Sequence, residues 1–309
     1  MADDAARRRT GIVLALGALY VIWGTTYFGI REAVASIPPL LMASLRFLAP
    51  GAILYAWTRR KAGRPTQAQW RRAFLVGGLM LAVGNGTVSL VETRMPSGIA
   101  ALLVAMVPLW TAVWEWGLEH RPPNAFVVAG LALGLAGVGV LSRQGEGWTG
   151  GVEPLFFGII MVGSLCWALG SILARRPGRP TSAWQDLAMQ MLAGGALLAL
   201  GSAALGEPVG FHPSLVPLSA WLWVLYLSVF GSVVALGCYL WLLRSTSPAV
   251  ATTYAFVNPA VAVAVGSIAG HEPVTAITLA ASVLIVGAVV LIVWSKARRQ
   301  PAASPSPEA

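Results

Sequence analysis

Apolar residues run through this chain in long continuous stretches, separated by short polar connections rich in Arg, Pro and Gly. The stretches fall at about 11–30, 39–58, 71–91, 95–115, 124–142, 153–174, 183–204, 217–243, 248–268 and 274–295. Each is close to the roughly 20 residues a helix needs to cross about 30 Å of hydrocarbon. Connections such as Arg59-Arg60-Lys61-Ala62-Gly63-Arg64-Pro65 and Arg175-Arg176-Pro177-Gly178-Arg179-Pro180 supply the turns. A membrane β-barrel would show alternating segments of about ten residues instead, so the pattern excludes one. It predicts an all-α integral membrane fold with ten transmembrane helices.

Composition agrees. Of 309 residues, 57% are hydrophobic and 11% charged, against roughly 25% charged in an ordinary soluble domain. So few charges would leave a soluble fold with large apolar patches, and a disordered chain would need the opposite balance. The net charge of +9 invites a nucleic-acid reading until the cations are placed. Arg7, Arg8, Arg9, Arg59, Arg60, Lys61, Arg64, Arg71, Arg72, Arg121, Arg175, Arg176, Arg179, Arg244, Lys296, Arg298 and Arg299 fall on one side, 17 of the 21. Arg31, Arg94 and Arg143 fall on the other, and Arg46 alone lies inside a span. That asymmetry puts both termini in the cytoplasm and leaves no basic domain for a nucleic acid. Arg7–Arg9 before an apolar run also fits a secretory signal, but no small-residue cleavage site follows, so the run reads as a first helix with its anchor. The segment Pro301–Ala309 reads as a disordered tail.

The sequence also repeats. At an offset of 144, Trp23 falls on Trp167 and Arg31 on Arg175. At an offset of 151, Gly86 falls on Gly237, Ala100 on Ala251, Pro108 on Pro259, His120 on His271 and Pro122 on Pro273. Each half carries five spans, and an odd number makes the second half enter from the opposite side. The expected organisation is a tail over 1–10, a first repeat over 11–142, an inverted second repeat over 153–295, and a tail over 296–309. Inverted repeats recur in secondary transporters, which bind substrate near the midplane between the halves.

Polar side chains within spans must face another helix or a cavity. Trp23, Thr26, Tyr27, Asn85, Trp110, Trp167, Ser171, Tyr254 and Asn258 are the candidate substrate contacts, the aromatics as walls and the polar groups as orienting partners. The Thr and Gly residues of these spans also suit plain helix packing. Ser164, Ser232, Tyr239 and Thr252 are further polar positions in the spans. Trp57, Trp70, Trp184 and Trp294 sit at span ends, where Trp acts as an interfacial anchor, and Trp114 and Trp116 suit either role. Pro108 and Pro259 each free a carbonyl one turn earlier and are candidate hinges. Arg46 has two readings: a fork of donors for an anionic substrate group, or a pin bonded to carbonyls of neighbouring helices. Its repeat counterpart is the uncharged Gln190, which favours the pin. Glu32, Glu92, Glu146, Glu153, Glu207 and Glu272 fall at outer ends or connections and Glu115, Glu119 and Asp186 towards the cytoplasm, so no carboxylate stands at mid-span. Glu115 and Asp186 are the nearest to a proton site.

His120, His212 and His271 lie in connections without metal-ligand spacing. Cys166 and Cys238 read as apolar fillers. No G-x-x-x-x-G-K-[ST] loop or Ser/His/Asp arrangement is present, so neither an enzyme, a cofactor nor a metal is expected. The implied partners are a small-molecule substrate and the lipid bilayer, not a nucleic acid, and a monomer is compatible with the pattern.

The motifs resemble EamA-type members of the drug/metabolite transporter superfamily over about 11–295. Trp23-Gly24-Thr25-Thr26-Tyr27-Phe28, Leu45-Arg46-Phe47, Leu81-Ala82-Val83-Gly84-Asn85-Gly86, Pro96-Ser97-Gly98-Ile99-Ala100-Ala101 and Val107-Pro108-Leu109 carry the likeness in the first half. Gly163-Ser164-Leu165-Cys166-Trp167-Ala168-Leu169-Gly170-Ser171 and the run from Ser247 to Pro259 carry it in the second. The likeness is greatest to the YedA-like exporters of bacteria. The resemblance implies two inverted five-helix EamA repeats, alternating access around a central cavity, and an inner-membrane exporter of small metabolites, with amino acids as the leading substrates. Efflux of amphipathic toxic compounds is the alternative, and a non-transporting membrane receptor is the reading from a different class.

Overall fold

A computed structural model describes residues 2–119, 124–141, 153–175, 182–246, 248–251 and 253–299. The expectations for His120, Arg121, Pro122, Arg143, Glu146, Arg176, Arg179, Thr252 and the tail 301–309 fall outside these residues. We label the helices α1 (Ala2–Val34), α2 (Pro39–Ala62), α3 (Gln67–Val91), α4 (Ser97–Leu118), α5 (Ala125–Leu141), α6 (Pro154–Arg175), α7 (Ala183–Ala204), α8 (Leu218–Ser245), α9 (Tyr254–Gly270) and α10 (Ala276–Arg299). Among the described residues, seven helices are long and apolar enough to cross a membrane, and Ala125–Gly137, Val257–Gly270 and Ala276–Ala288 are shorter apolar helices beside them. Their outward faces are apolar, as at Val13, Ile53, Leu155, Leu200 and Val283, which suits a hydrocarbon solvent and would not suit water.

Local chemistry sets the helix ends. Pro39 opens α2, where a missing N–H costs nothing, and Arg59, Arg60 and Lys61 close it on the negative end of the dipole. Thr66 and Gln69 form a reciprocal capping box at the start of α3, and Ser182 caps α7. Helix α1 begins at Ala2, well before its apolar run. The leading Ala and Arg residues are good helix formers. The predicted fourth span breaks its helix at Ala105–Met106, and the predicted ninth comprises Pro248–Ala251 followed by α9. Pro108 stands in the first turn after the fourth-span break, whereas Pro259 lies inside α9.

Two π-helical segments interrupt the helices, Gly78–Asn85 in α3 and Leu227–Ala235 in α8. They fall in the third span of each half, at nearly matching positions for the offset of 151. Such windings are rare and concentrate at functional sites.

Helix pairing is patterned. α2 packs along α7 and α5 along α10; α1 packs on α8 and α9, while α6 packs on α3 and α4. Small residues permit the closest approaches. A Cβ at Gly77 would lie 2.4 Å from the Gln190 carbonyl oxygen, and one at Gly194 would lie 2.8 Å from the Gly77 carbonyl oxygen. Two apolar clusters form the interior, one containing Tyr27, Ile30 and Val88, the other Trp23, Met80 and Tyr254. A cavity lies where they meet.

Candidate functional site

The cavity is lined by Trp23, Thr26, Tyr27 and Ile30 of α1, Arg46 of α2, Gly84, Asn85 and Val88 of α3, Val104 of α4, Gly163, Ser164 and Trp167 of α6, and Tyr254 of α9. Both halves of the sequence therefore contribute. The space open to the centre of a water molecule is about 50 Å³. One water needs roughly 10–15 Å³ on that measure, so the room suits a small polar group or a few waters.

One wall is aromatic. Trp23 and Trp167 meet edge to face with centroids 5.6 Å apart, and Trp23 also packs on Tyr239 at 5.1 Å and Tyr254 at 5.0 Å. These separations are typical of favourable aromatic pairs. The Trp23 indole N–H donates to the Gly231 carbonyl at 3.2 Å, fixing the ring.

Another part of the wall is cationic. Arg46 is 2% exposed. Its Nε donates to Ser232 Oγ at 2.9 Å and its Nη1 to Asn85 Oδ1 at 3.0 Å. Both acceptors belong to the π-helical segments. Gly231 makes room for the guanidinium, since a Cβ there would stand 3.0 Å from Nη2. The pin expected from the sequence is thus made of side chains rather than carbonyls, and it leaves donors of the fork unused on the cavity wall. No carboxylate lies within ion-pair distance of Arg46 among the described residues.

One further polar group on the wall, the Ser164 hydroxyl, is buried with no hydrogen-bond partner among the described residues, while the Trp167 indole N–H and the Tyr254 hydroxyl gather with the Tyr239 hydroxyl in loose contacts outside good hydrogen-bond geometry. Buried polar groups are normally satisfied, so this convergence marks the cavity as a place for a polar guest. Thr26 donates to the Trp23 carbonyl at 2.7 Å and presents only its lone pairs.

Seven of the sequence-derived residues line the cavity: Trp23, Thr26, Tyr27, Arg46, Asn85, Trp167 and Tyr254. Trp110, Ser171 and Asn258 do not. Trp110 packs against the apolar interior with an unpaired indole N–H. Ser171 donates to the Trp167 carbonyl at 2.7 Å and accepts from Tyr239 at 2.9 Å, so it buttresses the aromatic wall from behind. Asn258 is buried, and its side-chain polar atoms have no partner among the described residues. Pro108 and Pro259 are buried outside the lining. The two acidic candidates meet cations: Asp186 accepts from Arg244 at 2.9 Å, and Glu115 lies 4.0 Å from Arg175. Among the described residues no group of His, Cys, Asp and Glu is placed to hold a metal ion.

Two of the carboxylates expected at outer ends or connections, Glu272 and Glu207, hold helices together. Glu272 is buried, accepts from the Ser97 N–H at 3.1 Å, the Ser97 hydroxyl at 2.7 Å and the Gly98 N–H at 3.3 Å, and pairs with Arg31. It thereby ties the α9–α10 connection to the start of α4 and to α1. Glu207 accepts from the Leu40 and Leu41 amides and from Ser202, holding the start of α2.

A sequence model of the EamA-like transporter family matches this chain twice, over residues 9–143 and 156–294. The chain is 42% identical over 286 residues to the inner membrane transporter YedA of Escherichia coli (strain K12), covering 91% of this chain and 90% of that protein. It is 29% identical to the transporter YvbV of Bacillus subtilis (strain 168), over 96% of this chain and 95% of that one. Protein PecM of Dickeya dadantii is 27% identical over 88% of each chain. A protein solved as a crystal structure shares the fold, with a TM-score of 0.64 at 22% identity, covering 94% of this chain and 99% of that one.

Proposed function

Because the chain belongs to the EamA-like transporter family, and is therefore a membrane-embedded secondary transporter and not an enzyme, we propose that it exports small zwitterionic or anionic metabolites, amino acids first among them. The reading places it in the inner membrane with both termini in the cytoplasm, which the charge asymmetry supports. Two inverted five-helix repeats, 11–142 and 153–295, rock about the cavity. Supporting this, the pairings α1 with α9 and α6 with α4 exchange when each helix is advanced by five, as do α1 with α8 and α6 with α3. α2 with α7 and α5 with α10 map onto themselves. A pseudo-two-fold axis in the membrane plane would impose that pattern.

The observation that carries the substrate class is Arg46. It is a buried cation with no carboxylate within ion-pair distance among the described residues, held by Asn85 and Ser232 with donors to spare on the cavity wall. A substrate carboxylate would complete the fork. The Ser164, Trp167 and Tyr254 donors would take its remaining lone pairs, and the faces of Trp23 and Trp167 would receive an ammonium group by cation–π attraction. The same arginine argues against a purely cationic drug, which it would repel. The break before Pro108 and the interior Pro259 are the proposed hinges.

Uptake of radiolabelled amino acids into inverted membrane vesicles tests the reading. Saturable uptake absent from vesicles lacking the protein is expected, and uptake of cationic dyes but no amino acid would replace it with drug efflux.

A further inference from the structure

Glu92 is the first residue beyond α3. It is 3% exposed, and neither carboxyl oxygen makes a hydrogen bond of good geometry among the described residues, the Arg31 main chain giving it a weak contact alone. Glu207 and Glu272, at the same end of the bundle, are saturated by amide and hydroxyl donors. A carboxylate buried without donors is an expensive charge, whereas the neutral acid is far cheaper to bury.

Its position gives that cost a consequence. The Glu92 N–H donates to the Val88 carbonyl at 3.0 Å, so Glu92 stands one helical turn outward of a residue on the cavity wall. On α1 the same step leads from Tyr27, on the wall, to Arg31, which pairs with Glu272. A layer of ionisable groups therefore closes the outer side of the cavity. The elements packed on Glu92 present Tyr27 and Arg31 from α1 and Arg46 from α2, with Glu272 from the α9–α10 connection. The stretch 154–174 of α6 carries no charged residue. Burial first, and the Glu272 carboxylate second, push the Glu92 carboxyl well above the usual carboxylate range, against the pull of Arg46 and of the Arg31 side chain and main chain.

We propose that Glu92 is a proton-binding site whose occupancy governs closure of the outer end. Closing over Glu92 takes one proton from the outer medium onto the carboxylate, and opening returns it to water. Acid outside then favours the closed state, and each cycle of the outer gate moves a proton on and off this side chain. The inference rests on the alternating-access reading, yet its test needs no substrate, so failure of the two can be told apart.

The test is the accessibility of a thiol placed on the cavity wall. Val88→Cys is introduced with Cys166→Ala and Cys238→Ala, and labelled from outside by a membrane-impermeant maleimide in right-side-out vesicles over a series of outside pH values from acid to alkaline. Rates are corrected for the thiolate fraction by titrating the reporter. With Glu92 present, the corrected rate falls several-fold towards acid pH. Glu92→Gln holds it at the low acid value throughout, and Glu92→Asp, which keeps a titratable group, restores a pH response. Size-exclusion profiles show that each variant is folded. A flat profile with Glu92 present, or an unchanged pH response in Glu92→Gln, overturns the proposal.

Discussion

Trp23 and Trp167 stand at corresponding places in the two halves of the sequence and meet edge to face, with ring centroids 5.6 Å apart and planes at 79°. The contact joins α1 to α6 at the heart of the cavity. Trp23 is locked by a well-formed bond to Gly231 and by two tyrosine rings, whereas the Trp167 N–H makes no bond of good geometry among the described residues and its ring meets one tyrosine, Tyr239. The two residues should therefore behave differently. Trp23→Ala is expected to lower both the melting temperature and transport, since it loses three ring contacts, each worth about 0.5–1.5 kcal/mol beyond its area. Trp167→Ala should lower substrate affinity more than stability. Thermal unfolding of the purified protein beside vesicle transport separates the two, and wild-type flux and affinity in both variants would remove them from the site.

Arg46 is expected to read the substrate carboxylate. Hydrogen bonds to charged groups are worth about 1.5–3 kcal/mol, or roughly tenfold to a hundredfold in affinity. Arg46→Lys keeps the charge but loses the fork, so KM for an amino acid should rise about tenfold or more. The methyl ester of the same amino acid, already poor, should barely change. Equal losses for acid and ester would mean that Arg46 serves only to hold α2 against Asn85 and Ser232.

The Arg31–Glu272 pair should act as a clamp on the outer end. Glu272→Ala strands Arg31 and three donors of Ser97 and Gly98. The Arg31 side chain is partly exposed, so solvent weakens the ion-pair share, and the cost comes mainly from the stranded Ser97 and Gly98 donors, about 1–3 kcal/mol for a buried group left unsatisfied. The melting temperature should fall clearly, and Arg31→Ala combined with Glu272→Ala should cost less than the sum of the single changes. Strict additivity would show that the two do not act together.

Close packing of α3 on α7 rests on Gly77. Gly77→Val would drive a side chain into the Gln190 carbonyl, whereas nothing lies within 4 Å of a Cβ at Gly117. Folded yield should collapse for Gly77→Val and stay unchanged for Gly117→Ala, as judged by size-exclusion chromatography of detergent extracts.

Much of this was legible in the residues. The apolar runs gave the helices, the offset of 144 paired Trp23 with Trp167, and a lone cation within a span singled out Arg46. What escaped has physical reasons. A polar residue in a span must point away from lipid, but helical spacing alone does not say whether it meets a cavity or another helix; Ser171 and Trp110 turned to neighbours, and Ser164 to the wall. The π-helical winding of Gly78–Asn85 and Leu227–Ala235 shifts the facing of residues within each segment and leaves no mark in the apolar pattern. It brings Asn85 and Ser232 to the same guanidinium. Glu92 sits at a span end, where carboxylates are usually solvated, and only the packing of α1, α2 and α6 around it buries it.

The most direct measurement of the central claim is amino-acid uptake into inverted vesicles made with the wild-type protein and with Arg46→Lys, under matched expression. Saturable uptake by the wild type, with KM raised about tenfold or more by the substitution, is the predicted result. Wild-type vesicles that take up no amino acid above background, from protein shown to be folded, would contradict it.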